Sequence, residues 1–323
     1  MVTLLDEPLL TVTLSRDDFD CIPGSVYIYS GTSEQRSAIS EEWSQRQLER
    51  DVTFIEVTGQ GYLQEVSIET AGTSAKVMLS STSQTSAVVD SVPGAAIYLD
   101  VTGLGHHVTA PFLRAAVARG GEIYVVYTEP GSYRPSRHPQ RGAFYDLSER
   151  VDGIRPLPTF AYLRQDPPES ILVPLLGFEG ARFEYVVQRV EPAKGATFPI
   201  IGVPGFRADY PFVAYWGNEA ALLADDTYLN VRYAVANDPF DVFHQLIDLR
   251  EAHPGKLMKV APIGTKPNAV GAILFALSRT EVELIYDHPT RRLNRTNGVA
   301  RLCIFDIGTF VDSDVFAPPS IAT

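Results

Sequence analysis

Two stretches of the chain carry residue types and spacings suited to holding phosphate. The first is Val260-Ala261-Pro262-Ile263-Gly264-Thr265-Lys266-Pro267-Asn268, where an apolar run gives way to a helical pattern through a small-residue turn. Such a turn points backbone N–H groups outward at a helix start, where the dipole favours negative charge, and Lys266 adds a full positive one. It is not a Walker A motif, which needs G-x-x-x-x-G-K-[ST]. The second stretch, 287–298, puts Arg291, Arg292 and Arg295 within five residues directly after an apolar run. Guanidinium forks match phosphate oxygens in geometry as well as charge.

Other segments would complete such a site. In Gly177-Phe178-Glu179-Gly180-Ala181-Arg182, Glu179 is suited to a ribose hydroxyl or to an ion pair with Arg182 one turn on. The ion pair is the plainer reading. Residues 202–207 and Tyr210-Pro211-Phe212 read as a rigid loop over the same edge, its rings stacking on a base or closing the core. Catalytic sets are thin. The six histidines (106, 107, 138, 244, 253 and 288) lack zinc-binding spacing, and no G-x-S-x-G elbow occurs. His106 and His107, with Asp100, could cleave a phosphodiester, but a surface pair is the plainer reading.

The elements that must position these residues follow a β-α-β rhythm. Strands are expected at 25–29, 52–57, 95–101 and 122–127, with helices at 34–49 and 108–119. Residues 131–169 break the rhythm with six prolines and read as linker and surface loop. Strands resume at 170–176, 198–203, 256–261 and 282–286, with helices after Arg182 and at 268–277. Crossover helices between such strands imply parallel sheets, so the fold class is α/β with two Rossmann-like parallel-sheet halves, 1–130 and 170–323. The halves match as an internal duplication would: 31–59 against 177–205, and 102–130 against 262–289.

Composition limits the function classes. Net charge is −12, against the basic field expected of a protein that coats duplex nucleic acid. Any anion must then be held in a local basic pocket. No stretch approaches the roughly 18 apolar residues of a membrane span, and 1–14 has no basic region of a signal peptide. Two cysteines, Cys21 and Cys303, read as core fillers rather than a disulfide framework, which fits a reducing, cytoplasmic setting.

The Gly264-Thr265-Lys266 turn between strand and helix resembles that of the CRISPR-associated Rossmann fold domains, which carry a Thr-Gly-Gly-Thr-Lys-like turn and sense cyclic or linear oligonucleotides. Ile263 stands at the first glycine of that pattern. Asp100-Val101-Thr102-Gly103-Leu104-Gly105 resembles the same element, with His106 and His107 in place of the lysine. The resemblance covers about a quarter of the chain. It implies ligand contacts from Gly264, Thr265 and Lys266, with Gly31, Thr32 and Ser33 as another ligand wall beside Thr102 and Gly103. It also implies a sensor or regulatory subunit of a prokaryotic antiviral system, acting through a partner effector and needing no cofactor. Such domains pair around their ligand, as a homodimer or as two halves of one chain. An enzyme acting on a nucleotide or phosphoester, with Glu179 or Asp287 as base, is the alternative. A scaffold subunit that binds no ligand is the third expectation.

Overall fold

A computed structural model of the chain describes residues 10–316 except 33, 62–63, 141 and 164–167. The first half runs β1 (Thr11–Leu14), β2 (Val26–Tyr29), α1 (Glu41–Leu48), β3 (Thr53–Thr58), β4 (Glu65–Thr70), β5 (Thr73–Met78), α2 (Thr82–Val89), β6 (Ile97–Asp100), α3 (His106–Arg119) and β7 (Ile123–Tyr133). A connecting segment holds β8 (Pro135–Gln140), β9 (Ala143–Tyr145), β10 (Ser148–Val151) and β11 (Arg155–Pro156). The second half opens with β12 (Ser170–Leu176), α4 (Gly180–Val190), β13 (Ile200–Gly202), α5 (Tyr210–Gly217), α6 (Glu219–Leu223), β14 (Arg232–Ala234) and α7 (Pro239–Ala252). It continues with β15 (Leu257–Pro262), α8 (Lys266–Ser278), β16 (Val282–Tyr286), β17 (Pro289–Arg291), β18 (Thr296–Asp306) and α9 (Ile307–Val311).

Both halves build the same parallel core. One sheet has the order β1-β18-β7-β6-β2-β3-β4-β5 and the other β11-β16-β15-β12-β13-β14. The parallel strands β7-β6-β2-β3 and β16-β15-β12-β13 are equivalent, so strand order reverses between β2 and β6 in one and between β12 and β15 in the other. Ligands of open parallel sheets sit at such reversals, beyond the carboxyl ends of the strands. The chain approaches itself closely there. A Cβ at Gly103 would collide with the Ser30 carbonyl, and one at Gly264 with that of Leu176. The repeat extends to side chains: Arg36 lies over the Tyr127 ring at 5.4 Å, and Arg182 over the Tyr286 ring at 5.8 Å.

Helix α8 is apolar all round, because it packs on both α3 and α7 in the interior. Thr265 caps it, its hydroxyl accepting from the Asn268 N–H. Phe275, fully buried, meets Phe243 of α7 edge-on at 5.8 Å. Cys21 and Cys303 are both buried free thiols. No helix among the described residues is long and apolar enough to cross a membrane.

The structure corrects the expected layout in three places. Residues 131–169 are not merely linker: β7 runs on to Tyr133, β10 pairs with β17, β11 pairs antiparallel with β16, and Leu147, Leu157 and Phe160 are buried. Pro156 is tolerated because β11 is an edge strand, where a missing N–H costs no ladder bond. Pro167 lies outside the described residues. The second half does not keep the end of the chain: β18 returns to the first sheet and pairs antiparallel with both β7 and β1. Finally, the helix expected at 34–49 is only α1, because 35–37 form a single 3₁₀ turn. Phe275→Ala should cost about 3–5 kcal/mol, the usual loss for a buried ring, read as a lowered urea midpoint with unchanged slope.

Candidate functional site

A narrow cleft of about 80 Å³ lies at the β12/β15 reversal, and a roomier cavity of about 320 Å³ lies at the β2/β6 reversal. Lys266, Arg291 and Arg295 line both. Gly264, Thr265, Glu179 and Arg182 line the cleft, joined by Arg36, Tyr127, Tyr133, Phe178, Phe206 and Tyr210. Thr32, Thr102, Gly103 and Arg292 line the cavity, together with Glu34, His106 and Tyr286. Gly31 lines neither and Ser33 lies outside the described residues, so the expected wall at 31–33 reduces to Thr32. The structure otherwise brings the predicted residues together around one cationic wall.

Their bonds separate structural groups from available ones. The Lys266 ammonium donates to the carbonyls of Val101, Thr102 and Leu104, which uses its three donors on the first half's turn. Lys266 therefore contributes charge to the site rather than an N–H. Arg182 grips Asp287 in a bidentate pair, both bonds 2.7 Å, and also donates to the Ile263 carbonyl. Glu179 is 3.7 Å from Arg182 and accepts from the Leu147 N–H and the Ser148 hydroxyl. The expected pair exists, but Asp287 is the main partner of Arg182. Asp287 is wholly buried in that pair, so it is not placed to act as a base. Thr265 donates its hydroxyl to the Ala236 carbonyl, and Thr102 accepts from the Thr128 N–H.

The remaining arginines are freer. Arg291 bonds the Ser148 and Tyr286 hydroxyls, while Arg292 pairs with Asp146 at 2.8 Å on the rim. Arg295 donates Nε to Glu34 at 2.8 Å, and its two terminal nitrogens have no partner among the described residues. Arg36 also pairs with Glu34, at 2.7 Å, and donates to the Tyr127 hydroxyl and the Thr128 carbonyl. Around the wall, the cations Arg36, Arg182, Lys266, Arg291 and Arg295 meet, among the described residues, only the carboxylates Glu34, Glu179 and Asp287. Positive charge is in excess.

Titration behaviour reflects that excess. Burial, together with Arg36, Arg295 and Arg291, pushes the Lys266 amine well below its ordinary range. Against this, its three carbonyl acceptors need all three N–H donors and hold the ammonium form. Burial raises Glu34, but Arg36 and Arg295 outweigh it and hold the carboxyl well below the usual carboxylate range. Asp287 is lowered in the same way, with Arg182 overcoming burial. His106 and His107 are not surface residues: they are 4% and 7% exposed where α3 begins against the second half. The His106 ring meets Tyr286 at 4.8 Å, and the His107 ring lies 6.2 Å from His288. Burial, reinforced by Lys266, pushes His106 well below its ordinary value, and burial with His288 takes His107 to about 4.

Reading the sequence placed Phe206 and Tyr210 over the site but missed Arg36, Glu34 and the rings of Tyr127, Tyr133 and Phe178. The signal was present in the matched Glu34-x-Arg36 and Glu179-x-x-Arg182, since a repeat that nominates one arginine nominates both. Tyr133 lay in the supposed linker. Phe206 packs on Tyr127 at 5.8 Å, while Tyr210 packs on Phe178 at 5.1 Å and Tyr133 at 5.8 Å. The expected loop therefore both lines the cleft and closes a core.

Lys266→Met should strand three carbonyls and lower stability by about 1–3 kcal/mol, measured by urea unfolding at neutral pH. The histidines give a pH signature. With folded values below 6.5, the unfolded chain takes up protons first, so their contribution is complete above pH 6.5. It is lost as pH falls toward 4, and His107→Gln should flatten the urea midpoint between those limits.

Compared with known proteins, the chain matches no protein-family model and no curated protein.

Proposed function

We propose that the paired cavities bind a phosphorylated ligand, a nucleotide or oligonucleotide, and that the chain serves as a sensor or regulatory subunit. The observation that carries this reading is the cationic wall of Lys266, Arg291 and Arg295, whose charge the described carboxylates do not balance. Uncompensated buried charge is costly, and an anion relieves it. Volume divides the labour. A cavity of about 320 Å³ falls within the range of small-molecule sites, roughly 300–1,000 Å³. The cleft, at about 80 Å³, suits a phosphate-sized group reaching the free edge of Arg295. The resemblance to CRISPR-associated Rossmann fold domains points toward the same ligand class and toward a protein partner as effector.

An enzymatic reading has one specific observation in its favour. His106 lines the larger cavity beside four cations, Lys266, Arg291, Arg292 and Arg295, and its buried Nε2 has no hydrogen-bond partner among the described residues. A neutral imidazole in that position suits proton transfer to or from a phosphoester oxygen.

Thermal shift with inorganic phosphate, nucleoside phosphates and cyclic or linear oligonucleotides, paired with chromatography of the ligand afterwards, tests both readings. A ligand at a hundred times its Kd stabilises the fold by about 2.7 kcal/mol. Arg295→Ala should remove most of that shift. Silence across the panel, or an undiminished shift in Arg295→Ala, overturns the binding reading. Turnover that is lost in His106→Asn would establish the enzyme.

A further inference from the structure

The outer edge of the second sheet carries a concentration of apolar surface. Among the described residues twelve large apolar side chains are exposed, and six of them fall within 212–233: Phe212, Trp216, Leu223, Tyr228, Leu229 and Tyr233. Scattered exposed apolar residues need no explanation, but a concentration of them marks an interaction site. Phe212 and Trp216, one helical turn apart on α5, share its outer face, and Phe212 is 75% exposed. The Tyr215 and Tyr233 hydroxyls are hydrogen-bonded, which ties α5 to β14, the edge strand of the sheet. Leu229, 71% exposed, lies in the 3₁₀ stretch that leads from α6 into that strand.

The rim of this surface is acidic. Asp225 and Asp226 are exposed, and neither has a hydrogen bond or ion pair with a described residue. Glu184 is exposed and likewise unpaired on the adjoining groove, which Asp225 also lines. Among the described residues that line the groove only Lys194 answers them, while Arg207 pairs with Asp209 at 3.1 Å and Arg232 lies 4.0 Å from Asp248. A negative rim repels an anionic membrane or a nucleic acid. A second copy would bring another acidic rim, in a chain of net charge −12, against this one.

We propose that this surface docks an amphipathic helix of a protein partner, with apolar residues on one face and lysine or arginine along its border. Such a helix would lay its apolar face over Phe212, Trp216 and Leu229 and set its cations against Asp225 and Asp226. The surface is also the far side of the ligand cleft, since Tyr210 and Ala214 on the inner face of α5 line that cleft. The docking proposal does not rest on what the cleft holds.

The test uses two synthetic amphipathic helices with the same leucine face, one bordered by lysine and one by glutamate, titrated into the full chain. Trp216 is the exposed member of only two tryptophans, the other being buried Trp43, so its emission reports contact directly. The lysine-bordered peptide should bind with a blue shift, and the glutamate-bordered peptide should not. The exposed substitutions Phe212→Ser and Leu229→Ser should each weaken binding by roughly tenfold or more. The double variant Asp225→Lys/Asp226→Lys should exchange the preference for the two peptides. Failure of the lysine-bordered peptide to bind, equal binding of both, or survival of binding in Phe212→Ser/Leu229→Ser overturns the proposal. So does concentration-dependent dimerisation lost in that double variant, which would make a second copy the occupant, or binding to vesicles of anionic lipid.

Discussion

The ammonium of Lys266 is held by three carbonyl oxygens of the turn that follows β6. A desolvated cation without a carboxylate partner persists only where it is fully hydrogen-bonded. That requirement fixes the start of α8 against the start of α3. It thereby sets the position of the second half against the first. Much of the joint follows from this placement: the cavities share a wall because the lysine stands between them, and His106 is buried because its helix begins there.

The two halves share a topology but use their carboxyl edges differently. Each positions an arginine over the tyrosine of its outer parallel strand. In the second half Asp287 saturates that arginine, and its pair is a closed structural unit. In the first half the partner is Glu34, which must also serve Arg295 from the other end of the chain. One carboxylate divided between two guanidinium groups leaves charge to spare. Repetition of the fold therefore produced a lattice of like elements, while departures from the repeat produced the electrostatic character of the joint.

The parallel core was legible because its strands are short apolar runs punctuated by glycine, with helices of regular length between them. Gly264, Thr265, Lys266 and the arginines were found because small-residue turns and basic clusters are local signals. Their partners were not local. That Lys266 turns toward 101–104 depends on how two sheets pack, and the interior position of His106 and His107 depends on the same contact. β18 was missed because its first half, 296–301, has no apolar run and is mostly exposed, and its buried apolar residues, Leu302, Cys303 and Phe305, fall only in its second half. The prolines of 131–169 suggested a loop, but edge strands accommodate proline, so those residues were poor evidence against strand.

The path of β18 affects how the molecule is made. The strand that lies between β1 and β7 is synthesised long after both of them, so the first sheet keeps an open edge until then. Pairings separated by most of the sequence form slowly, because the chain must close a long loop before any contact offsets it. A cut at the proline-rich segment would therefore leave the N-terminal half without the strand that joins β1 to β7. During translation that half waits with β7 unpaired on one side, a period in which a chaperone or a neighbouring nascent chain has an edge to capture.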